Sequence, residues 1–247
     1  CRFGVGKTSI KGHANSRPEG AKMKFGLAIL NKNEAFALPT VLKDIPFKNF
    51  DEVFAVDGGS TDESVTILRD SGINVLNQVS NGRGAAFELA FDHAKNLKVD
   101  FLMFLSSDGN EDPKDLQKMI EIASSNAVDM VIGSRMLKES WNEEDDNFFK
   151  FRKWGNQFFA LVAYVLFNKE KVFISDPING YRGISTKAWE ILEPSSCGFS
   201  IEYELSIKAY KNNLKVVEFP TIEGKRLGGK SGARAIPTSI AMIKVLI

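Results

Sequence analysis

Two acidic turns, each set directly behind an apolar run, are the residues in this chain best placed to do chemistry. Val53-Phe54-Ala55-Val56 runs into Asp57-Gly58-Gly59-Ser60-Thr61-Asp62, and Phe101-Leu102-Met103-Phe104-Leu105 runs into Ser106-Ser107-Asp108-Gly109-Asn110. Short β-rich runs ended by Gly, Ser and Asp read as buried parallel strands at the point where they leave a sheet. Ligands of open α/β sheets bind at that carboxyl edge. Two carboxylates brought there can orient a polar ligand and hold a divalent cation. A nucleoside diphosphate is the ligand this combination implies.

The elements needed to position the turns follow in order. Strands are expected at Phe25–Leu30, Glu52–Val56, Ile73–Leu76, Asp100–Leu105 and Val128–Ile132. Between them, helices are expected at Ala35–Asp44, Asp62–Ser71, Gly84–Leu97 and Asp112–Ala123. Ser60, Thr61 and Asp62 are capping candidates, and Pro113 suits a first helical turn. Such alternation with short links implies an α/β fold, a mostly parallel sheet with helices on both faces. The second half reads differently. An aromatic, basic segment at Phe148–Trp154 leads into an apolar helix at 156–167. A turn at Asp176-Pro177-Ile178-Asn179-Gly180 follows, then a helix at Ile201–Asn212, a strand at Lys215–Phe219 and a Gly/Lys-rich loop at Gly224–Gly232. We read residues 1–23 as a flexible tail or remnant. Residues 24–247 read as one domain, with a nucleotide half at 24–140 and an acceptor half at 141–247.

Composition narrows the function classes. The 247 residues are 43% hydrophobic and 26% charged, ordinary for a globular protein. A net charge of +1 argues against nucleic acid as a partner. Cys1 and Cys197 are too few for a disulfide framework and lack metal spacing, which favours a reducing, cytoplasmic setting. Apolar runs are too short for a membrane span. Phe158–Phe167 is a core or membrane-surface helix, so the inner face of a membrane is a second expected location. Ile240–Ile247 is either a docked helix or the start of a longer element. Gly4-Val5-Gly6-Lys7-Thr8-Ser9 ends like a phosphate loop but lacks the preceding strand, and it is set aside. His13 and His93 read as tail and helix-surface residues.

Seven motifs in order make the chain resemble glycosyltransferase family 2, whose members have a GT-A fold. Polyprenyl-phosphate sugar transferases such as dolichyl-phosphate mannose synthase look closest. The motifs are Leu30-Asn31-Lys32-Asn33-Glu34, Val56–Asp62, Asn81-Gly82-Arg83-Gly84-Ala85-Ala86, Ile132-Gly133-Ser134-Arg135, Asp176–Arg182, Phe199-Ser200-Ile201-Glu202 and Arg226–Ser231. The resemblance implies an inverting transferase that takes sugar from a UDP- or GDP-linked donor. The implied acceptor is a polyprenyl phosphate or a glycan precursor. It also implies nucleotide contacts from Asn33, Glu34, Asp57 (to the base), Gly58, Gly82, Arg83, Ser107 and Asp108. Diphosphate contacts fall to Arg135, Arg226, Lys230 and Ser231. A Mg2+ or Mn2+ site falls to Asp108 and Asn110, weakened because Ser106 stands where the family has the first Asp of its Asp-x-Asp.

Cations placed where negative charge develops supply most of the stabilisation in such a transfer, and Lys225 and Arg234 join the candidates. The loop glycines would let that segment close as a lid. For a hydroxyl acceptor, Asp176 or Glu202 must take the proton, with Arg135 completing the catalytic set. Glu202 and Glu204, two apart, cannot both face the site, and Glu202 is favoured. Arg182 has a structural pairing with a neighbouring acid as its plain alternative. Two other readings stand: a sugar nucleotidyltransferase, or a non-catalytic nucleotide- or glycan-binding relative with a degenerate metal motif.

Overall fold

The structure is a computed structural model describing residues 22–141, 151–168, 172–228 and 235–246. Seven strands form one sheet: β1 Phe25–Asn31, β2 Glu52–Asp57, β3 Asn74–Asn77, β4 Phe101–Ser106, β5 Met130–Ser134, β6 Arg182–Ser185 and β7 Val216–Pro220. Their order is β3-β2-β1-β4-β6-β5-β7. All pairings are parallel except those of β6, which runs antiparallel to both β4 and β5. The sequence reading anticipates every strand but β6, whose four residues Arg-Gly-Ile-Ser have no apolar run to announce it.

β1 and β4 are buried along almost their whole length, because each has neighbours on both edges and helices on both faces. Alternate side chains go to opposite cores. Leu27, Ile29, Met103 and Leu105 pack with the helices α1 (Leu38–Asp44) and α4 (Asp115–Asn126). Ala28, Phe54, Leu102 and Phe104 pack with α3 (Arg83–Asn96), α5 (Phe151–Phe167), α6 (Thr186–Leu192), α7 (Ile201–Lys211) and α8 (Ala235–Val245). α2 (Ser64–Asp70) lies against β3 on the first of these faces. α6 is a second element the sequence reading lacks, and α8 packs Met242 into the same core.

Two register facts place the chemistry. Asn31 pairs with Asp57 across β1 and β2, and Leu30 pairs with Ser106 across β1 and β4. The two acidic turns therefore leave the sheet side by side. α3 is pinned over them by aromatic stacking. Phe87 lies 3.9 Å from Phe104 and Phe91 lies 4.0 Å from Trp189, centroid to centroid. His93, expected on the surface, instead meets the Phe54 ring edge-on at 4.8 Å.

The start of α3 touches the 195–198 loop so closely that only glycine fits there. The Gly84 amide donates to the Cys197 carbonyl at 2.8 Å, and a Cβ on Gly84 would lie 1.9 Å from the Ser196 carbonyl oxygen. Gly84→Ala should therefore cost about 2 kcal/mol or more in urea unfolding, because backbone must move to admit one methyl group.

Candidate active site

The carboxyl edge carries a cleft of about 770 Å³ whose lining includes Asn31, Lys32, Asn33, Glu34, Gly58, Gln78, Gly82, Arg83, Ser107, Asp108, Phe199 and Arg226. Its floor is stitched together by side chains. Asn31 Nδ2 donates to Asp57 Oδ1 at 2.8 Å, and Asn31 Oδ1 accepts from Ser107 Oγ at 2.9 Å. Asn33 sits at a φ of +55°, a conformation Asn tolerates, and its Oδ1 accepts from the Thr61 amide at 2.7 Å. The Glu34 amide donates to Ser64 Oγ at 2.9 Å and the Ala35 amide to Asp62 Oδ2 at 3.0 Å. The turns after β1, β2 and β4 are thus one hydrogen-bonded unit.

Asp57 is consumed by this work. Its Oδ1 accepts from Asn31 and Ser60 Oγ, and its Oδ2 from the amides of Gly59 and Ser60. It is buried and outside the cleft lining. The carboxylate expected to contact the base thus accepts four hydrogen bonds, three from its own turn and one from Asn31. Gly58 is the turn residue that faces the cleft, with the aliphatic stem of Lys32 packed beside it.

Three arginines at this edge are each held by carboxylates. Arg226 reaches Asp108 Oδ2 at 2.7 Å with Nη1 and bonds Glu34 Oε1 with Nη2. Burial raises the Glu34 carboxyl above its ordinary range, and Arg226 only partly offsets this. Arg83 Nε bonds Glu202 Oε1. Arg135 donates to Asp176 Oδ2 at 2.7 Å and Oδ1 at 2.9 Å, and to Glu223 at 3.1 Å. Burial alone would push the Asp176 carboxyl up, but Arg135 and a 2.6 Å bond from Asn156 hold it below the usual carboxylate range.

Among the expected residues, the cleft gathers Asn33, Glu34, Gly58, Gly82, Arg83, Ser107, Asp108 and Arg226. Arg135, Asp176 and Glu202 lie behind its lining as buried ion pairs. Asp176 accepts four hydrogen bonds, from the Arg135 amide and guanidinium and from Asn156, whereas Glu202 is bonded through Oε1 to Arg83. Arg182 is corrected: instead of pairing with an acid, its guanidinium is fully buried and donates to the carbonyls of Pro177, Asn179 and Glu202. Lys230, Ser231 and Arg234 lie outside the described residues.

Glu111, Glu223 and Gln78 have no counterpart in the sequence reading, and Lys32 enters it only inside a motif. Glu111 accepts from the Ser106 amide at 2.7 Å, and burial, then Asp108, push its carboxyl up to about 8. Glu223 braces both Arg135 and Asn110. Lys32 and Gln78 line the nucleotide side. Their only sequence signal is proximity to a motif, five residues past Ser106 in the case of Glu111.

Asp108 and Asn110 are the residues at this edge that could hold a divalent cation. Asn110 Oδ1 is buried without a hydrogen-bond partner, beside Asp108. Among the described residues no three His, Cys, Asp or Glu side chains converge as a ready-made cage. Asp108 and Asn110 Oδ1 fit a hard cation that takes its remaining ligands from phosphate and water.

The family model described as Glycosyl transferase family 2 matches residues 28–188. The chain belongs to that family. It is 27% identical over 190 residues to glycosyltransferase AglJ of Haloferax volcanii, covering 76% of this chain and 59% of AglJ. The chain therefore spans less than two thirds of that relative's length. It is 24% identical over 208 residues to the UDP-N-acetylglucosamine–dolichyl-phosphate N-acetylglucosaminyltransferase of Methanococcus voltae, covering 76% of this chain and 80% of the relative. Glucosyl-3-phosphoglycerate synthase of Mycobacterium tuberculosis, solved with Mg2+ and UDP, superposes with a TM-score of 0.72 at 17% identity over 91% of this chain and 78% of that one. The shared fold is GT-A.

Glu204, the second of the two paired glutamates, supports the cleft at one remove. It accepts from the Ser195 and Ser196 amides at 2.8 and 2.7 Å and pairs with Lys208, so it holds the loop against which Gly82 and Gly84 pack. Burial opposes its charge, but Lys208 and these donors win and bring its pKa down to about 2. A depressed acid contributes stability above its unfolded pKa and loses it as pH falls through the folded value. Glu204→Gln should lower stability by about 1–3 kcal/mol at pH 7, and the gap to the parent protein should close between pH 4.5 and pH 2 in thermal melts.

Proposed function

We propose that this protein is an inverting glycosyltransferase that moves a sugar from a nucleoside-diphosphate sugar, UDP-linked in the first instance, to an acceptor that is already anionic, a polyprenyl phosphate. The observation carrying the acceptor class is that each candidate base is held in an ion pair. Asp176 is saturated by Arg135 and Asn156, and Glu202 is paired with Arg83. A hydroxyl acceptor would need a carboxylate to take its proton, whereas a phosphate oxygen attacks without one. The UDP preference draws on the names of the Methanococcus and Mycobacterium proteins.

In this reading the acceptor oxygen forms a bond to the anomeric carbon as the bond to the donor diphosphate breaks. The electron pair leaves with the nucleoside diphosphate. Arg226 and Arg83 line the cleft where that charge collects, and Arg can grip phosphate bidentately. Asp108 and Asn110 would hold Mg2+ or Mn2+, which supplies further positive charge to the leaving group when bound. Asn33, Glu34, Gly58 and Gly82 shape the nucleotide end. Arg135, Asp176 and Glu202 act as positioning groups that fix the acceptor-side wall. Lys230 and Ser231 are proposed to complete the diphosphate contacts.

A lipid acceptor also gives a role to an apolar face. α5 exposes Trp154, Phe158, Leu161 and Val165, spaced along one side of the helix, and α8 exposes Ile240 and Ile243. Lys211, which sits 4.4 Å from the Phe167 ring, and Lys244 flank them. Apolar residues beside lysines suit an anionic lipid surface. No helix among the described residues is long and apolar enough to cross a membrane.

Incubation with UDP- and GDP-sugars and a short polyprenyl phosphate should give a sugar–phosphate lipid, with chelator slowing the reaction. Asp108→Ala should reduce transfer about 100-fold or more. Nucleotide binding without transfer to any acceptor would instead identify a non-catalytic relative. In co-sedimentation, Trp154→Ser/Phe158→Ser/Leu161→Ser should lose about tenfold in affinity for vesicles containing anionic lipid, with an unchanged melt.

A further inference from the structure

Arg226 stands where two carboxylates from different strand ends converge. Its Nη1 lies 2.7 Å from Asp108 Oδ2 and its Nη2 bonds Glu34 Oε1. The other Asp108 oxygen accepts from the Asn110 amide at 3.2 Å. Both oxygens of the one Asp that remains at the metal motif are therefore engaged, one by a cation that belongs to the chain. The arrangement is also incomplete. Arg226 Nε is buried with no acceptor, and Asn110 Oδ1 is buried with no donor. Buried polar groups without partners are uncommon, and a guanidinium with an unmet edge is suited to an incoming phosphate. A carboxamide oxygen with no donor is suited to a hard cation.

We propose that Arg226 is a resident counter-cation for Asp108. It neutralises Asp108 and Glu34 while the cleft is empty, competes with a divalent cation for Asp108, and turns to the donor diphosphate when nucleotide arrives. Cation binding then becomes dependent on nucleotide. The inference rests on the reading of the cleft as a nucleotide-sugar site and adds an order to how that site fills.

The backbone around Arg226 makes the exchange local. Gly224 N donates to Asn110 O at 2.7 Å and Leu227 N donates to Asp108 O at 3.1 Å, so the arginine's own loop rides on the turn that bears Asp108. Leu227 covers Gly109 so tightly that a Cβ there would come within 2.7 Å of its Cδ1. With the backbone tied on both sides of Arg226, the guanidinium is the part free to change partners, and its side chain is a quarter exposed. A single cation bonded to both acids partly offsets the repulsion between Asp108 and Glu34.

Mn2+ binding is measured by electron paramagnetic resonance on nucleotide-free protein, with UDP binding followed by calorimetry in the same series. Arg226→Met and Arg226→Gln should each bind Mn2+ alone about tenfold more tightly than the parent, and the gain should vanish when Asp108→Asn is added. UDP should raise the Mn2+ affinity of the parent more than that of either variant, because only the parent has Arg226 to release. Melts report whether the two variants fold, and two chemically different replacements guard against a single misfolded one. Equal Mn2+ affinity in the parent and both folded variants overturns the inference, as does a gain that survives Asp108→Asn. If UDP binds the parent normally in that case, the nucleotide-sugar reading stands and the counter-cation role alone is lost. If UDP binds none of the proteins while the Mn2+ gain is seen, the counter-cation role stands and the nucleotide reading is lost.

Discussion

The whole carboxyl edge depends on one buried amide. Asn31 gives its nitrogen to Asp57 at the end of β2 and its oxygen to Ser107 just beyond β4, which makes it the tie among the three strand ends that form the cleft floor. An amide is the side chain able to do both, because it donates from one end and accepts at the other. An aspartate in its place would face Asp57 with like charge. A leucine would leave the Asp57 carboxylate, already buried, short of a donor. From that tie follow the packing of the Asp57 turn against the Glu34 turn, the place of Gly58 in the cleft and the height at which Asp108 stands.

Charge at this edge is organised as enclosed pairs instead of a broad basic patch. Arg83 with Glu202, Arg135 with Asp176 and Glu223, and Arg226 with Glu34 and Asp108 leave the molecule near neutrality while keeping three guanidinium groups close to where a diphosphate would sit. Buried pairs of this kind contribute little net stability, since desolvation offsets attraction, but loss of one partner strands the other. Their value here is geometric. Each arginine is aimed before any ligand arrives, so little ordering remains to be done on binding.

Much of this was legible in the sequence, and the illegible parts have identifiable causes. β1, β2 and β4 announce themselves because strands buried on both faces are written as continuous apolar runs ended by turn residues. Gly82, Arg83 and Asp108 were locatable because a motif fixes them relative to those strands. β6 was not, since Arg-Gly-Ile-Ser is stabilised by its two neighbours and not by its own pattern. For Asp57 the sequence shows that a turn acid exists but not that Asn31, Gly59 and Ser60 all donate to it. Asp176, Glu202 and their arginines lie 41 and 119 residues apart in the chain, so no local pattern links them.

The reversed direction of β6 divides the carboxyl edge between two kinds of loop. Loops that follow the parallel strands β1, β2 and β4 line the cleft, whereas β6 presents its beginning at that edge, so the segment leading into it, Asp176 to Tyr181, stands behind the lining. That segment is anchored at one side by the Tyr210 hydroxyl to Ile174 and at the other by the buried guanidinium of Arg182. The two sides of the edge are thus held by separate anchors: Asn31 ties the ends of β1, β2 and β4, and Tyr210 with Arg182 ties the lead-in to β6.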